Sequence, residues 1–385
     1  MKKILFIATV VRTHINTFHL PYIKMFKEHG YKTVVAAKND YDGGNFDIPN
    51  CDLYIDVPFS RNPFSISNVK AYRMLKKLIE NSGFDIVQCN TPVGSVVGRL
   101  AARKARKRGT KVVYIAHGFH FFKGSPVLNW LIFYPVEKAL SHITDILVTI
   151  NHEDYECAKK FSAKKTVYIN GIGVELGEID HCEGNRKKLL QQLGLEEENI
   201  LIASVGELIR RKNHEMAIKS IAMIDNPKVH YVIVGSGELD SELKELTNHL
   251  NIAERVHFMG FRNDVFEILK ASDVFFFPSY QEGLPVAVME AMASGLPIVA
   301  SKIRGVTDLI VSDKGGFLYA PNDGQGFAEG IEKLINNPIL RKEMGRFNKE
   351  YIQKYDIEIV KEKFSKLYFP NEKKTLEAQK IQGQC

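Results

Sequence analysis

The hydrophobic positions of this chain form short runs of valine, isoleucine, leucine and phenylalanine that alternate with longer amphipathic stretches. Most runs lack polar alternation, which is typical of parallel strands covered on both faces. The runs predict strands at 3–9, 31–36, 53–57, 85–88, 111–116, 145–149, 167–169, 200–205, 229–234, 256–259, 273–277, 297–300 and 316–319. The amphipathic stretches predict helices at 17–29, 66–80, 93–107, 127–141, 152–161, 186–193, 213–224, 239–250, 264–270, 286–294, 325–336, 338–352 and 356–368. This alternation indicates an α/β fold with doubly wound parallel sheets.

The alternation is interrupted once, near the middle of the chain. Asn170-Gly171-Ile172-Gly173 is a turn-rich joint, followed by an acidic stretch that ends at Gly184. We therefore expect two Rossmann-like domains that face each other across a cleft, with ligands beyond the carboxyl ends of the strands. The predicted boundaries are a first domain at 1–170, a linker at 171–184, a second domain at 185–352, a helix at 353–370 that returns to the first domain, and a polar tail at 371–385.

Composition excludes several classes of protein. Of the 385 residues, 45% are apolar and 25% are charged, which argues against a disordered chain, a collagen-like repeat or a disulfide scaffold. No stretch reaches the ~20 apolar residues that a membrane span needs. The five cysteines are scattered without a Cys-x-x-Cys pair. That pattern suits reduced thiols in a cytoplasmic protein better than disulfides or a zinc site.

Charge is distributed unevenly along the chain. The first 170 residues hold 25 lysines and arginines against 13 acidic residues, so they carry +12, and the total of +7 leaves −5 for the remainder. A basic first half implies an anionic partner: nucleic acid, a phosphorylated substrate or anionic lipid. Its densest cluster has seven cations between Arg99 and Lys111, and a second cluster contains Arg73, Lys76 and Lys77. Either cluster could be no more than a solvated helix face.

The segment from Ser279 to Ser301 is the strongest motif. A buried strand ends before it, Pro285 suits a first helical turn, and Gly295 suits a helix C-cap. Backbone N–H groups of Gly283 and Leu284 would then lie at a helix N-terminus, which binds phosphate or carboxylate. Glu290 is the single charged residue from 283 to 301. A buried carboxylate needs donors, which ribose hydroxyls would supply, or Lys302 in a purely structural reading.

Glu282 and Glu290 have seven residues between them and are flanked by Gly-Leu-Pro and Ala-Ser-Gly-Leu-Pro. This pattern resembles the Glu-x7-Glu signature of retaining glycosyltransferases of family 4, which have the GT-B fold. The resemblance implies that Glu290 binds the nucleotide ribose and that Glu282 contacts the transferred sugar. It also implies that Gly283 and Leu284 meet the diphosphate. The co-substrate would be a nucleotide-sugar, with UDP-sugar favoured, and no cofactor would be needed.

A second motif follows the first strand of the second half: Gly206-Glu207-Leu208-Ile209-Arg210-Arg211-Lys212. Cations in a loop at the carboxyl end of a strand suit a diphosphate, although a solvated basic turn is the simpler alternative. The family often has Gly-Arg-Leu-x-x-x-Lys here. Lys212 matches its lysine, whereas Glu207 replaces its arginine, so Arg210 or Arg211 would supply the second charge.

The resemblance assigns further residues at other strand ends. The backbone of Phe261 and Arg262 would read the base. Apart from the resemblance, Gly235 in a Gly-x-Gly turn is a candidate for contact with the donor, although glycine there could simply permit a tight strand-to-helix turn. His117, in a His-Gly pair that closes a strand, would approach the donor sugar, although a lone histidine is often structural. Arg12 and His14, in the loop after the first strand, are candidates for the acceptor side. That loop lacks the double glycine found in many members of the family.

These assignments predict a metal-independent, retaining hexosyltransferase. The Asp-x-Asp pair of the chain, Asp40-Tyr41-Asp42, lies in the first half; no such pair lies at a strand end of the second half, and no aspartate suggests itself as a nucleophile. The expected acceptor is a glycan, favoured as a polyprenyl-diphosphate glycan of exopolysaccharide, capsule or O-antigen synthesis, and no nucleic acid is expected to bind. Family members that build lipid-linked glycans dock on anionic membrane through basic patches, and the candidate patch here is Arg103, Lys104, Arg106 and Lys107. The expected location is the cytoplasm, with peripheral binding to the inner face of the cell membrane. The alternatives are a nucleotide-sugar epimerase of similar two-domain fold and a non-catalytic nucleotide-sugar binder.

Overall fold

The computed structural model describes residues 1–41 and 46–370, so the predicted polar tail at 371–385 lies outside the described residues. The chain forms two compact units. Unit 1 comprises Met1–Gly173 together with the chain from Glu358 onward, and unit 2 comprises Val174–Ile357. The cysteines in the described range are free thiols. Within that range, no helix is both long and apolar enough to span a bilayer.

Unit 1 is built on a parallel sheet of seven strands in the order β3-β2-β1-β4-β5-β6-β7. The strands are β1 (Lys3–Val10), β2 (Lys32–Lys38), β3 (Leu53–Asp56), β4 (Ile86–Cys89), β5 (Lys111–Ala116), β6 (Ile146–Thr149) and β7 (Lys165–Tyr168). The helices are α1 (Asn16–Phe18), α2 (Leu20–Glu28), α3 (Ile66–Ser82), α4 (Pro92–Lys107), α5 (Val127–Ser141) and α6 (His152–Ala158). The order reverses between β1 and β4, and loops at such a point commonly bind ligands.

Unit 2 is built on a parallel sheet of six strands in the order β10-β9-β8-β11-β12-β13. The strands are β8 (Ile200–Val205), β9 (Val229–Val234), β10 (Val256–Gly260), β11 (Val274–Phe277), β12 (Ile298–Ser301) and β13 (Gly316–Tyr319). The helices are α7 (Leu176–His181), α8 (Arg186–Leu193), α9 (His214–Ala222), α10 (Asp240–His249), α11 (Val265–Ala271), α12 (Val286–Ala293), α13 (Val306–Leu309), α14 (Gly324–Ile335) and α15 (Pro338–Tyr351). Here the order reverses between β8 and β11.

The last helix, α16 (Ile357–Tyr368), belongs almost entirely to unit 1. Its Tyr368 donates a 2.5 Å hydrogen bond from Oη to Oε1 of Gln88 on β4. Its Phe364 packs edge-on against Tyr22 of α2, with ring centroids 4.8 Å apart. Both aromatic residues are buried. The C-terminal helix α16 therefore packs into the same hydrophobic core as α2 and β4 of unit 1.

Two short helices depart from the sequence-based expectation. The predicted linker contains α7. Val174, two residues before this helix, forms an isolated parallel β-bridge with Asp356. α13 has four residues and follows Gly305, so neither helix is long enough to show a helical period. The expected loop after β1 is instead a π-helical turn, Val11–Ile15, a conformation that is frequent at functional sites.

Candidate functional site

The loops that follow β8 and β11 lie at the point where the sheet of unit 2 reverses order. The β8 loop continues into a 3₁₀ turn, Arg210–Lys212, and the backbone N–H of Tyr280 donates to the carbonyl of Arg211. The side chain of Asn213 adds hydrogen bonds of 2.9 Å to the carbonyls of Pro278 and Pro321. These bonds hold the two predicted motifs together within unit 2.

Glu282 is the centre of a charged cluster formed by the two motifs. Its Oε1 accepts from Arg211 at 2.7 Å and from Lys212 at 2.8 Å. The carboxylate is 10% exposed and the Lys212 side chain 13%. The Lys212 ammonium also lies 5.0 Å from the centre of the Phe277 ring. Two cations on one carboxylate leave an excess positive charge, which suits a diphosphate.

The two adjacent arginines lie in different surroundings. Arg211 contacts Glu282, whereas Arg210 is 78% exposed and lies 3.8 Å from Glu242. Within this turn, Arg211 and Lys212 reach the same carboxylate, whereas the Arg210 side chain is directed to Glu242. Glu207, which stands where the family has arginine, is exposed. Of the two arginines, the structure brings Arg211 into the cluster with Lys212.

Glu290 lies on α12, where its side chain is half-buried. Burial raises its pKa from 4.5 to about 7. Among the described residues, no ion pair with Lys302 is formed, and Lys302 is exposed. The structural explanation of Glu290 as a partner of Lys302 is therefore wrong. Desolvation of an unpaired carboxyl group is costly, and a ligand that supplies donors would offset this cost.

The start of α12 differs by one position from the expectation. Pro285 occupies the N-cap position, and no side chain caps the helix. Gly283 and Leu284 precede it, and the buried Arg304 donates from Nε to the carbonyl of Glu282 at 3.1 Å. Gly305 has φ +77°, and a Cβ there would lie 2.2 Å from the carbonyl oxygen of Gly283. Close backbone contact thus shapes this helix terminus.

The remaining donor candidates lie at the carboxyl ends of β8, β9 and β10. Gly206 donates its N–H to the carbonyl of Val234 on β9. Gly235 has φ +149°, and a Cβ there would lie 1.9 Å from the Gly206 carbonyl oxygen, so only glycine fits. The Phe261 ring is 75% exposed. Arg262 is held by Asp264 at 2.7 Å, so its guanidinium is already paired.

Unit 1 brings three histidines together at the carboxyl ends of β1 and β5. The Nε2 atoms of His14 and His19 are 3.2 Å apart, and the rings of His14 and His117 are 4.7 Å apart. Burial lowers the pKa of His117 to about 4 and, with the neighbouring imidazoles, holds that of His14 well below its usual range. Within the described residues, Nε2 of His117 and Nδ1 of His19 are buried without a hydrogen-bond partner.

The histidine cluster could hold a metal as well as a hydroxyl group. One candidate ligand atom from each histidine lies within 4.8 Å of the other two. Among the histidine, cysteine, aspartate and glutamate residues in 1–41 and 46–370, these three form the group that is close enough to hold a metal ion. Neutral imidazoles are suitable ligands for zinc and similar ions. They are equally able to hydrogen-bond a sugar hydroxyl. Metal-independent activity therefore stays a prediction.

The acceptor-side and membrane candidates have the following surroundings. Arg12 is exposed, and its backbone N–H donates to Asp40 at 2.6 Å. On α4, the side chains of Arg103, Lys104 and Lys107 are exposed. Arg106 instead pairs with Asp145 at 3.1 Å. Arg99, the first of the seven clustered cations, is only 1% exposed and binds Glu137 at 2.7 Å. The assignment of Arg99 to a solvated or membrane-facing cluster is therefore wrong.

Sequence reasoning overlooked His19, Arg304 and Gly305. His19 follows His14 by five residues, but it falls in a segment that reads as an ordinary amphipathic helix. Arg304 and Gly305 follow the last residue of β12 by three and four positions, so their place near the carboxyl end of a strand was an available signal. The contact between Gly305 and Gly283 depends on tertiary structure and has no sequence signature.

Comparisons with known proteins find relatives of both units. Residues 185–351 match the profile described as Glycosyl transferases group 1, and residues 3–151 match Glycosyl transferase 4-like. The chain is 40% identical over 350 residues to a Bacillus subtilis protein named as glycosyltransferase EpsD, covering 90% of each chain. It is 33% identical over 290 residues to the Escherichia coli UDP-Gal:alpha-D-GlcNAc-diphosphoundecaprenol alpha-1,3-galactosyltransferase, covering 73% of this chain and 74% of that one.

Solved structures match the fold. Anabaena HepE, solved with UDP and glucose, superposes with a TM-score of 0.78 at 19% identity, covering 96% of this chain and 99% of that one. WaaG, a glycosyltransferase of lipopolysaccharide biosynthesis, superposes with a TM-score of 0.72 at 19% identity, covering 94% and 99%. The expected pair of Rossmann-like α/β domains is confirmed. The chain belongs to the glycosyltransferases of family 4, enzymes of the GT-B fold.

Proposed function

We propose that the protein transfers a sugar from a UDP-sugar to a polyprenyl-diphosphate glycan, with retention of anomeric configuration. The observation that carries the proposal is Glu290, a half-buried carboxyl group on α12 with a raised pKa and no ion-pair partner among the described residues. Two ribose hydroxyls would donate to it and offset the cost of its burial. HepE, which shares the fold, was solved with UDP and glucose, and this supports a uridine nucleotide as the ligand.

The diphosphate is proposed to lie against Lys212, Arg211 and the start of α12. The reaction breaks the bond between the anomeric carbon and the diphosphate oxygen, so negative charge grows on the leaving phosphate. Fixed cations and backbone donors stabilise that charge best when they are already in place. The contacts of Arg211 and Lys212 with Glu282 hold both cations before substrate arrives. Glu282 then accepts hydrogen bonds from the transferred sugar.

Retention is proposed to occur by attack on the face from which the diphosphate leaves. The acceptor hydroxyl bonds to the anomeric carbon, and its proton passes to the departing phosphate oxygen. This route needs neither an enzymic nucleophile nor a metal ion. In unit 1, the unpartnered Nε2 of His117 would hydrogen-bond a hydroxyl of the donor sugar as a neutral imidazole.

The acceptor class is supported by the Escherichia coli relative, whose name gives a diphosphoundecaprenol-linked sugar as its acceptor. The basic first half of the chain suits such an anionic substrate. Exopolysaccharide or capsule synthesis is the setting that fits the names of EpsD and of the capsular glycosyltransferase CapM.

The test has two stages. A thermal-shift screen of UDP, GDP, ADP and their sugars identifies the donor, because a ligand of the native state raises the melting temperature. The donor is then incubated with a polyprenyl-diphosphate glycan, and the anomeric configuration of the product is read by NMR. An α-donor should give an α-linked product. An epimer formed from donor alone would indicate an epimerase, and binding without any product would indicate a nucleotide-sugar binder.

A further inference from the structure

Unit 1 contains an apolar cavity of about 250 Å³ that the proposed chemistry does not use. It lies where the N-terminal ends of α3 and α4 meet the middle of α5 and the loop after β5. Its apolar lining comes from side chains on α4, on α5 and in that loop, including Val93, Val96, Phe119, Phe121, Phe133 and Val136. Gly118 also lines it, so the cavity begins one residue after His117.

Part of the cavity lining, Tyr114 and Glu137, belongs to a satisfied polar network. Glu137 lines the cavity and binds Arg99 at 2.7 Å, and the Arg99 guanidinium lies 4.2 Å from the ring centre of Tyr114. Arg99 also donates to Ser95. These charges are therefore already matched, and the open part of the cavity offers mainly hydrocarbon contacts.

The surroundings of the cavity are also apolar. Phe64 lines it and is 81% exposed. On α5, which supplies much of the lining, Val127, Leu128 and Leu131 are 62–73% exposed. Exposed apolar side chains on one of the cavity's lining residues and on the first turns of a lining helix are unusual for a surface that meets only water.

One cation joins this cavity to a polar one. Arg61 lines the apolar cavity and also lines a neighbouring cavity of about 670 Å³, whose other polar residues include Lys38, Asn39, Asp40 and Ser60. The Arg61 guanidinium donates to Thr13 Oγ1 at 3.0 Å, and it forms no ion pair with a carboxylate within the described residues. The apolar cavity, the Arg61 cation and the polar cavity therefore follow one another in unit 1.

Resting on the proposed function, we infer that the apolar cavity binds the first isoprene units of the acceptor's polyprenyl chain, with Arg61 at its diphosphate. A lipid-linked glycan has the same three parts in the same order: a hydrocarbon chain, a diphosphate and a sugar. Arginine suits the diphosphate by charge and by its planar array of donors. Burial of the chain supplies binding free energy that a water-soluble acceptor lacks.

The test compares two acceptors with the same diphosphate-linked glycan, one on a polyprenyl chain and one on a short water-soluble chain. Val96→Trp fills the cavity, and Val69→Trp adds the same bulk to α3 at an exposed position that does not line it. We expect Val96→Trp to raise KM for the polyprenyl acceptor at least ~10-fold, while both variants keep KM for the short acceptor within about twofold. Normal turnover of the short acceptor also shows that the variant is folded.

Arg61→Ala should raise KM for both acceptors, because both carry the diphosphate. The inference is overturned if the wild type treats the two acceptors alike. It is equally overturned if Val96→Trp and Val69→Trp have the same effect, since the chain-length preference would then arise from a general lipid surface. If neither acceptor is glycosylated while UDP-sugar binds, the proposed function itself fails, and this outcome is distinct from the other two.

Discussion

The half-buried carboxyl group of Glu290 is expected to have opposite effects on the free protein and on its complex with nucleotide. Its raised pKa means that the folded state binds more protons than the unfolded chain between about pH 4.5 and 7. The free energy of unfolding therefore falls as pH rises through this window, and it stays reduced above pH 7. With a pKa of about 7 in the folded state, this loss of unfolding free energy is roughly 3 kcal/mol at most.

Glu290→Gln should separate these two effects. At pH 8 we expect the unfolding free energy to rise by about 1–3 kcal/mol, because the buried charge is removed while the side-chain volume is kept. We expect UDP to bind at least ~10-fold more weakly, because charged hydrogen bonds to ribose are lost. Thermal melts and calorimetry at pH 5 and pH 8 measure both quantities. Unchanged UDP affinity in a folded variant would remove Glu290 from the nucleotide site.

Lys212 and Arg211 should matter more for turnover than for nucleotide binding. Negative charge on the diphosphate grows only as the bond to the sugar breaks, so both cations act most strongly in the transition state. Lys212→Ala or Arg211→Ala should lower kcat at least ~100-fold, with a smaller change in UDP affinity. Arg210→Ala is the matched control, since that side chain is exposed beside Glu242. If the Arg210 variant proved the slower enzyme, the assignment of the second cation would be reversed.

The elements of the fold differ in how well the sequence predicts them. β11 reads Val-Phe-Phe-Phe and β12 reads Ile-Val-Ala-Ser, and such uninterrupted runs are distinctive for buried parallel strands. α7 and α13 have six and four residues, too few for a helical period, and were missed. The choice between Arg210 and Arg211 depends on the direction of side chains in a 3₁₀ turn, which the order of residues does not reveal.

α4 gives a prediction about membranes that is independent of the apolar cavity. Its exposed cations are Arg103, Lys104 and Lys107, and each contributes about 1 kcal/mol near an anionic surface. Changing all three to glutamine should abolish most co-sedimentation with anionic vesicles at low salt. Wild-type binding should itself fall as salt rises from about 0.01 to 0.1 M, because the Debye length shrinks from ~30 to ~10 Å.

The control for α4 changes the same number of exposed cations on unit 2, namely Lys228, Lys342 and Arg346. It should bind anionic vesicles as the wild type does. If both variants lost vesicle binding to the same extent, the overall charge of the protein, and not the α4 cations, would be what attracts it to the membrane. No binding by the wild type would leave the α4 cations as a solvated helix face.

For the molecule as a whole, we predict that catalysis needs no divalent cation. Lys212, Arg211 and the α12 terminus are proposed to meet the diphosphate charge that a metal meets in other enzymes. Activity should therefore survive exhaustive treatment with EDTA. The three histidines of unit 1 make this a sharp test, since they could bind a metal. Loss of activity in EDTA, restored by zinc or manganese, would contradict the prediction.

The return of α16 to unit 1 has a consequence for biosynthesis. During translation, residues up to Gly173 emerge first, yet the aromatic side chains that complete their core arrive only with Phe364 and Tyr368. Unit 2 lies wholly between these segments, so it can become native while unit 1 still waits for its last helix. At 5–20 residues per second the interval is roughly 10–40 s. Throughout it, the nascent first unit exposes apolar surface around Tyr22 and Phe26, a natural target for ribosome-associated chaperones.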